Sequence, residues 1–166
     1  PKGIEIVNQN DNKGEKSRKY ILNAAKRENG QRDHIINGLE NANPEDLILV
    51  SDVDEIPNLE NINLKSLKEK ILMFQQDMFY YRFNLKLPSI IWSGTKGCRK
   101  KDLLSPQWLR NIKDKKYPFY RIDTYFSEKK YINLMFVNEG GWHFSNIKTA
   151  AEIEYKLKSY LHHREF

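Results

Sequence analysis

An apolar run that leads directly into a cluster of carboxylates constrains this chain more than any other feature. Residues 47–50, Leu-Ile-Leu-Val, predict a short buried strand, and Asp52, Asp54 and Glu55 follow it closely. In open α/β sheets, ligands bind beyond the carboxyl ends of the strands, so a strand end is where such a fold places chemistry. The sequence therefore predicts a functional site here, with a solvated acidic turn as the alternative.

The two aspartates of this turn predict a metal site. Asp52 and Asp54 are separated by one residue and can share a hard divalent cation. Mn²⁺ and Mg²⁺ prefer oxygen ligands, and Mg²⁺ usually keeps coordination positions for substrate phosphates. We therefore expect Mn²⁺ or Mg²⁺ as the cofactor, with both carboxylates as ligands.

Composition limits the class of protein. The 166 residues, 39% of them hydrophobic, predict a single folded domain spanning 1–166, and no apolar run approaches the ~20 residues of a membrane span. The single cysteine, Cys98, excludes internal disulfides and fits a reducing, cytoplasmic compartment. The net charge of +6 favours anionic partners, although the lysines are spread along the chain as on a solvated basic surface. The chain starts at Pro1, so we expect natural N-terminal residues to be missing.

The residue pattern along the chain predicts a mixed α/β sheet flanked by helices. Alternation from Phe79 to Leu87 puts Tyr80, Arg82 and Asn84 on the polar and aromatic face of one strand. The other expected elements are strands at 4–7, 47–51, 119–126 and 131–137, a helix at 17–40 with a possible break at 29–30, helices at 64–76 and 148–163, and a loop from 88 to 118 with a short helix near 105–112.

Charged residues lie on the apolar stripe of the first helix. Glu28 and Arg32 are four residues apart and share that stripe. Because burying a lone charge is costly, they are either an ion pair or face a ligand. In the second case Arg32 reaches the active-site cleft and Glu28 holds it.

A glycine pair opens the second unusual segment, Glu139-Gly-Gly-Trp-His-Phe-Ser. Paired glycines permit tight turns or a close backbone approach to a ligand. Trp142 can stack on a sugar or a base, and His143 can bind a metal or a phosphate. The alternative is a turn that buries Trp142 and pairs His143 with backbone groups.

The last predicted helix has a polar stripe beside its apolar one. Lys156, Ser159 and His163 share it, as 3.6 residues per turn requires, whereas His162 projects away. Together these three side chains can bind phosphate oxygens, although any amphipathic helix has a polar flank.

These pieces resemble the glycosyltransferase family of β-1,4-mannosyl-glycoprotein 4-β-N-acetylglucosaminyltransferase, which adds the bisecting N-acetylglucosamine to N-glycans. The resemblance runs from about Glu28 to Glu165. The matching motifs, in order, are Glu28-x-x-Gln31-Arg32, the segment Ser51 to Pro57, Tyr81 with Asn84, the segment Gly141 to Ser145, and Lys156-x-x-Ser159 with a His-x-Glu. Two departures are the absence of an initial strand–helix unit and one extra residue near the end, which leaves His162 and His163 as competing candidates.

The resemblance implies a GT-A-like fold and an inverting transfer from a UDP-sugar, N-acetylglucosamine by analogy, to a glycan hydroxyl. Asp52, Asp54 and His143 would bind the metal. Glu139, or else Glu55, would take the proton of the acceptor hydroxyl. The remaining implied residues are Arg32, Asp52, Lys156, Ser159 and His163 for the nucleotide sugar, and Arg82, Asn84 and Trp142 for the acceptor or sugar.

Two alternatives stay open. An apolar strand followed by D-x-D is also similar to phosphatases that use an aspartyl nucleophile, with Asp52 in that role. Those enzymes usually carry Thr or Val where this chain has Ile56. The second alternative is a non-catalytic glycan- or RNA-binding module, in which Tyr80 and Arg82 alternate on an open strand face. Nucleic acid is the less expected partner.

Overall fold

The chain folds into two compact units, which we call the helical unit (1–38 and 148–166) and the sheet unit (39–147). The helical unit contains helices, and the sheet unit contains both strands and a helix. The predicted α/β class is therefore confirmed. The computed structural model describes residues 3–60, 62–63 and 66–159.

The helical unit contains α1 (Lys13–His34) and α3 (Ala150–Ser159). Helix α1 begins at Asn12, whose side chain accepts from the N–H of Glu15 while the Glu15 carboxylate accepts from the N–H of Asn12. The first helix is thus confirmed; it is continuous through 29–30, and a 3₁₀ turn at Ile35–Leu39 follows it. Residues 4–7 form no strand, because the backbone of Glu5 pairs instead with the side chain of Asn23.

The sheet unit contains a mixed six-stranded sheet in the order β1-β4-β3-β6-β2, with β5 also paired to β3. Neighbours are antiparallel except that β5 and β6 both run parallel to β3. The strands are β1 (Leu47–Val50), β2 (Glu55–Pro57), β3 (Ile71–Tyr80), β4 (Lys86–Arg99), β5 (Leu134–Val137) and β6 (Gly141–Ser145).

The expected helix at 64–76 is wrong, because β3 begins at Ile71. Residues 71–74 are completely buried, as in a central strand covered on both faces. Such a continuous apolar run cannot be told from a buried helix by periodicity alone.

The expected strand at 79–87 is also wrong. Tyr81 to Leu85 form the turn of a β-hairpin, with Tyr81 at φ 63°, so Arg82 and Asn84 are exposed in a turn and lie on no strand face. The first part of the expected loop, up to Arg99, is instead β4, which tolerates Pro88 near its start and has two irregularities in its pairing with β3. Residues 112–118 form neither helix nor strand, as expected.

Helix α2 (Pro106–Asn111) confirms the helix expected near 105–112. The side chain of Ser105 accepts from the N–H of Trp108 and caps it. Leu109 and Ile112 pack on β1, β3 and β4 in one core cluster, while Leu72, Phe74 and Val137 form a second one. Strand β5 lies within the expected 131–137, but residues 119–126 form no strand and have a 3₁₀ turn at Ile122–Thr124. No helix among the described residues is long and apolar enough to span a membrane.

Candidate functional site

The predicted metal ligands Asp54 and His143 lie together in the sheet unit. Asp54 precedes β2, and β6 pairs with β2 so that His143 lies opposite Glu55. The Nε2 atom of His143 is 3.4 Å from Oδ2 of Asp54, and the N–H of Phe144 donates to the Asp54 carbonyl at 2.8 Å. The glycine-rich segment therefore lies beside the acidic turn, because His143 belongs to the strand next to β2.

Arg110 links the other two carboxylates of the acidic turn. Its Nη2 donates to Asp52 Oδ2 at 2.6 Å and contacts Glu55 Oε1 at 3.3 Å. Its Nη1 donates to the Gly94 carbonyl at 2.7 Å. A guanidinium held on three sides in this way is a fixed positive charge beside two half-exposed aspartates. We call Asp52, Asp54, Glu55, Arg110 and His143 the aspartate–histidine cluster.

Glu55 is the buried member of the cluster, with a side chain that is 0% exposed. Its carboxylate accepts from Trp92 Nε1 at 2.9 Å and from the backbone N–H of Asp52 at 3.0 Å, in addition to Arg110. The Trp92 ring in turn stacks on the His143 imidazole, with centroids 4.9 Å apart and planes 18° apart. Glu55 therefore holds Asp52 and Arg110 in position.

A buried lysine lies behind Arg110. Lys96 Nζ donates to the carbonyls of Arg110, at 2.7 Å, and Ile112, which tie β4 to the end of α2. Burial, helped by the positive charge of Arg110, lowers the pKa of Lys96 to about 8. Burial likewise raises the pKa of the neighbouring Cys98 thiol to about 12, so this cysteine is an inert core residue.

The donor set of the cluster fits a divalent cation that also binds a substrate phosphate. Ligands about 2.1 Å from an ion, at right angles, are about 3 Å apart, which is close to the 3.4 Å between Asp54 and His143. Asp52 would supply a third donor, and the second oxygen, once its carboxylate leaves Arg110. Within the part of the chain that the structure describes, no group of three or more His, Cys, Asp or Glu side chains is already arranged around one point. Phosphate oxygens would have to complete the site.

Trp142 and Glu139 line a different cavity, of about 570 Å³, which we call the tryptophan pocket. Asp77 lies opposite Trp142 in the pairing of β3 and β6, and the next pair joins Met78 to His143. Because successive side chains point to opposite faces, Trp142 and His143 project from opposite faces of the sheet. The pocket also includes Lys86, Gln75 and Ile91.

The glycine pair lets the backbone of the turn 138–141 approach neighbouring strands closely. A Cβ on Gly140 would lie 2.6 Å from the Val137 carbonyl, and one on Gly141, at φ 118°, would lie 2.0 Å from the Ile56 carbonyl. The N–H of Gly140 donates to the Gln75 carbonyl at 2.8 Å. The close approach that the sequence predicted is therefore to backbone, and it fixes Glu139 at φ 50° on the pocket wall.

Other predicted site residues belong to the helical unit. Arg32 and Glu28 form an ion pair at 3.1 Å on α1, the first of the two alternatives for these residues. Lys156 is half-buried on α3. Ser159 ends α3, and His162 and His163 lie outside the described residues.

Sequence reasoning missed Arg110 and Trp92. Arg110 is 58 positions from Asp52, and nothing in the short helix around it marks it as a partner of an acidic turn. Trp92 was hidden because its segment, rich in Ser and Gly, indicated a loop.

Comparison with protein-family models, with curated proteins and with solved structures gives no match to this chain.

Proposed function

We propose that this chain is a metal-dependent inverting glycosyltransferase that moves a sugar, N-acetylglucosamine by analogy, from a UDP-sugar to a glycan hydroxyl. The observation that carries the proposal is the Asp54–His143 contact, which joins residues distant in the sequence into a pair suited to one cation. The acidic turn after an apolar strand and the fixed guanidinium of Arg110 add support.

In this proposal the cluster binds the diphosphate of the donor. Asp52, Asp54 and His143 would hold Mn²⁺ or Mg²⁺, which supplies Lewis-acid stabilisation of the departing UDP. Arg110 donates to the diphosphate oxygens from the position in which it now donates to Asp52. The Trp92 ring stacks on the His143 imidazole and holds it in the orientation that directs Nε2 at Asp54.

The acceptor proton was expected to go to Glu139 or Glu55. Glu55 is fully buried and already accepts hydrogen bonds from Trp92, Asp52 and Arg110, so we assign it a positioning role. The Glu139 carboxylate is exposed in the tryptophan pocket. Glu139→Gln therefore separates two interpretations: a general base would lose about 10²–10⁴-fold in kcat, whereas a group that only binds saccharide would change KM.

Calorimetric titration with UDP, with Mn²⁺ and with EDTA, tests the donor site. We expect binding in Mn²⁺ and a large loss in EDTA. Asp54→Asn and His143→Ala should each abolish the metal-dependent part, because each removes one proposed ligand. Asp77→Asn is the matched control, since Asp77 is a similarly exposed aspartate on the opposite face of the sheet.

Equal UDP affinity in Mn²⁺ and EDTA would overturn the assignment. Metal-independent binding of RNA with a steep salt dependence, unchanged by Asp54→Ala, would favour the binding-module alternative instead. Trapping of a phosphoryl group on Asp52 would favour the phosphatase alternative. Transfer from a panel of UDP-sugars then identifies the donor.

A further inference from the structure

The tryptophan pocket is a cavity of the sheet unit that the proposed donor chemistry leaves unused. We propose that it is a binding site for a neutral saccharide that needs no metal and is separate from the aspartate–histidine cluster. The pocket shares Glu139 with the proposed function but contains none of the proposed metal ligands, so its test does not depend on UDP binding.

The size and the walls of the pocket fit one or two pyranose rings. A volume of about 570 Å³ lies within the usual range for small-molecule sites. One wall is the side chain of Trp142, which is 41% exposed, with Ile91 nearby. A flat ring that remains accessible in this way can pack against the apolar C–H face of a pyranose.

The polar side chains of the pocket fit hydroxyl groups. Asp77 and Glu139 supply carboxylate acceptors, and hydroxyls are donors that carboxylates bind strongly. Amides both donate and accept, as the hydroxyls of a sugar ring do. The amide side chains of the pocket are those of Asn58, Gln75 and Asn138.

The charge of the pocket disfavours phosphates and nucleotides. Asp77 and Glu139 contribute two negative charges and Lys86 one positive charge, which leaves a net charge of −1. The Lys86 Nζ is already 2.8 Å from Asp77 Oδ2. A diphosphate would therefore meet net repulsion, whereas a neutral ligand would not.

The pocket is preformed and lies away from the proposed metal ligands. Both glycines of the turn 138–141 are pressed against backbone, and the N–H of Asn58 donates to the Gly140 carbonyl at 2.9 Å. The sheet itself separates Trp142 from His143. Saccharide binding here should thus persist without metal and without an intact cluster.

An NMR titration in EDTA tests the inference on the ¹⁵N-labelled full chain, with chitobiose, maltose and cellobiose as probes. The indole N–H signal that is missing in Trp142→Phe identifies Trp142. We expect that signal to shift on addition of at least one disaccharide, while the signals of Trp92 and Trp108 stay in place.

Substitutions on the pocket face of the sheet should weaken disaccharide binding, and substitutions elsewhere should not. Asp77→Asn and Trp142→Leu should each weaken disaccharide binding by about 10- to 100-fold, because each removes a charged acceptor or the stacking surface. Trp142→Phe should retain most of the affinity. Asp54→Asn should not change it, and neither should Asp102→Asn, which alters another lysine-paired aspartate of the sheet unit, 3.4 Å from Lys70.

Three results would overturn the inference. The first is that no disaccharide shifts the Trp142 signal, and the second is that binding disappears in Asp54→Asn or requires Mn²⁺. The third is that spermidine, added as a cationic probe, shifts the signal while every saccharide leaves it unchanged. The last would make the pocket a cation site. The NMR titration does not depend on UDP binding. A failure of the proposed function is therefore distinguishable from a failure of the saccharide-site inference.

Discussion

The two faces of the sheet at β6 differ in how deeply their charged side chains are buried and in how many partners these have. In the aspartate–histidine cluster, Glu55 is completely buried and Arg110 is 14% exposed in its side chain, and each has several partners. In the tryptophan pocket, Asp77 and Lys86 are nearly half-exposed and form a single ion pair. Buried charges depend on their partners, whereas exposed pairs contribute little. Glu55 therefore keeps its partners on the first face, while the pair on the second face can exchange its contact for a ligand.

The largest expected effect comes from removing the cation of the buried face. Arg110→Met should lower the free energy of unfolding by about 3–5 kcal/mol, because it leaves the carboxylate of Glu55 buried without its positive partner. Urea denaturation, followed by circular dichroism, measures this.

Lys86→Met is the corresponding change on the open face. It should cost less than about 1 kcal/mol, since Asp77 then returns to water. A loss of similar size in both variants would remove the contrast between the faces.

A smaller effect concerns pH and Lys96, which lies behind Arg110. Its pKa is about 8 in the folded chain against 10.5 for an ordinary lysine, so between these values the unfolded chain holds a proton that the folded chain does not. Stability therefore rises with pH in this window. From pH 7.5 to 9.5 the wild type should gain about 1–2 kcal/mol relative to Lys96→Met, which lacks the titrating group.

The difference between the two unfolding curves isolates Lys96 from the tyrosines and other lysines that titrate in the same range. A difference that does not change with pH would contradict this prediction. It would mean that the hydrogen bonds to the carbonyls of Arg110 and Ile112 keep the Lys96 ammonium charged in the folded chain.

The elements with strong local signals could be predicted from the sequence. The capping box at Asn12 and Glu15 starts α1, and Ser105 followed by Pro106 starts α2. The apolar run at 47–50 is β1, and the carboxylates after it do lie at its end. Each of these depends on residues a few positions apart.

The missed elements depend on tertiary contacts. Strand β3 looked like part of a helix because a strand buried on both faces has no alternation, and β4 looked like a loop because its irregular pairing tolerates Pro88 and Gly94. The same holds for the site. Asp54 and His143 could be nominated by residue type, but the contact of Arg110 with Asp52 depends on the packing of α2. The register that puts Trp142 on the other face cannot be read before the strands are paired.

The smallest expected effect is the coupling between the two faces. Asp54→Asn and Asp77→Asn change aspartates that lie on different faces and share no hydrogen-bond partner among the described residues. Independent sites add within about 0.5 kcal/mol, so the double variant should lose metal-dependent UDP binding as Asp54→Asn does and disaccharide binding as Asp77→Asn does. A double-mutant cycle on both affinities and on the free energy of unfolding measures the coupling. A coupling energy above about 1 kcal/mol in either affinity would mean that the two faces are not independent, and it would favour the interpretation of Glu139 as the base.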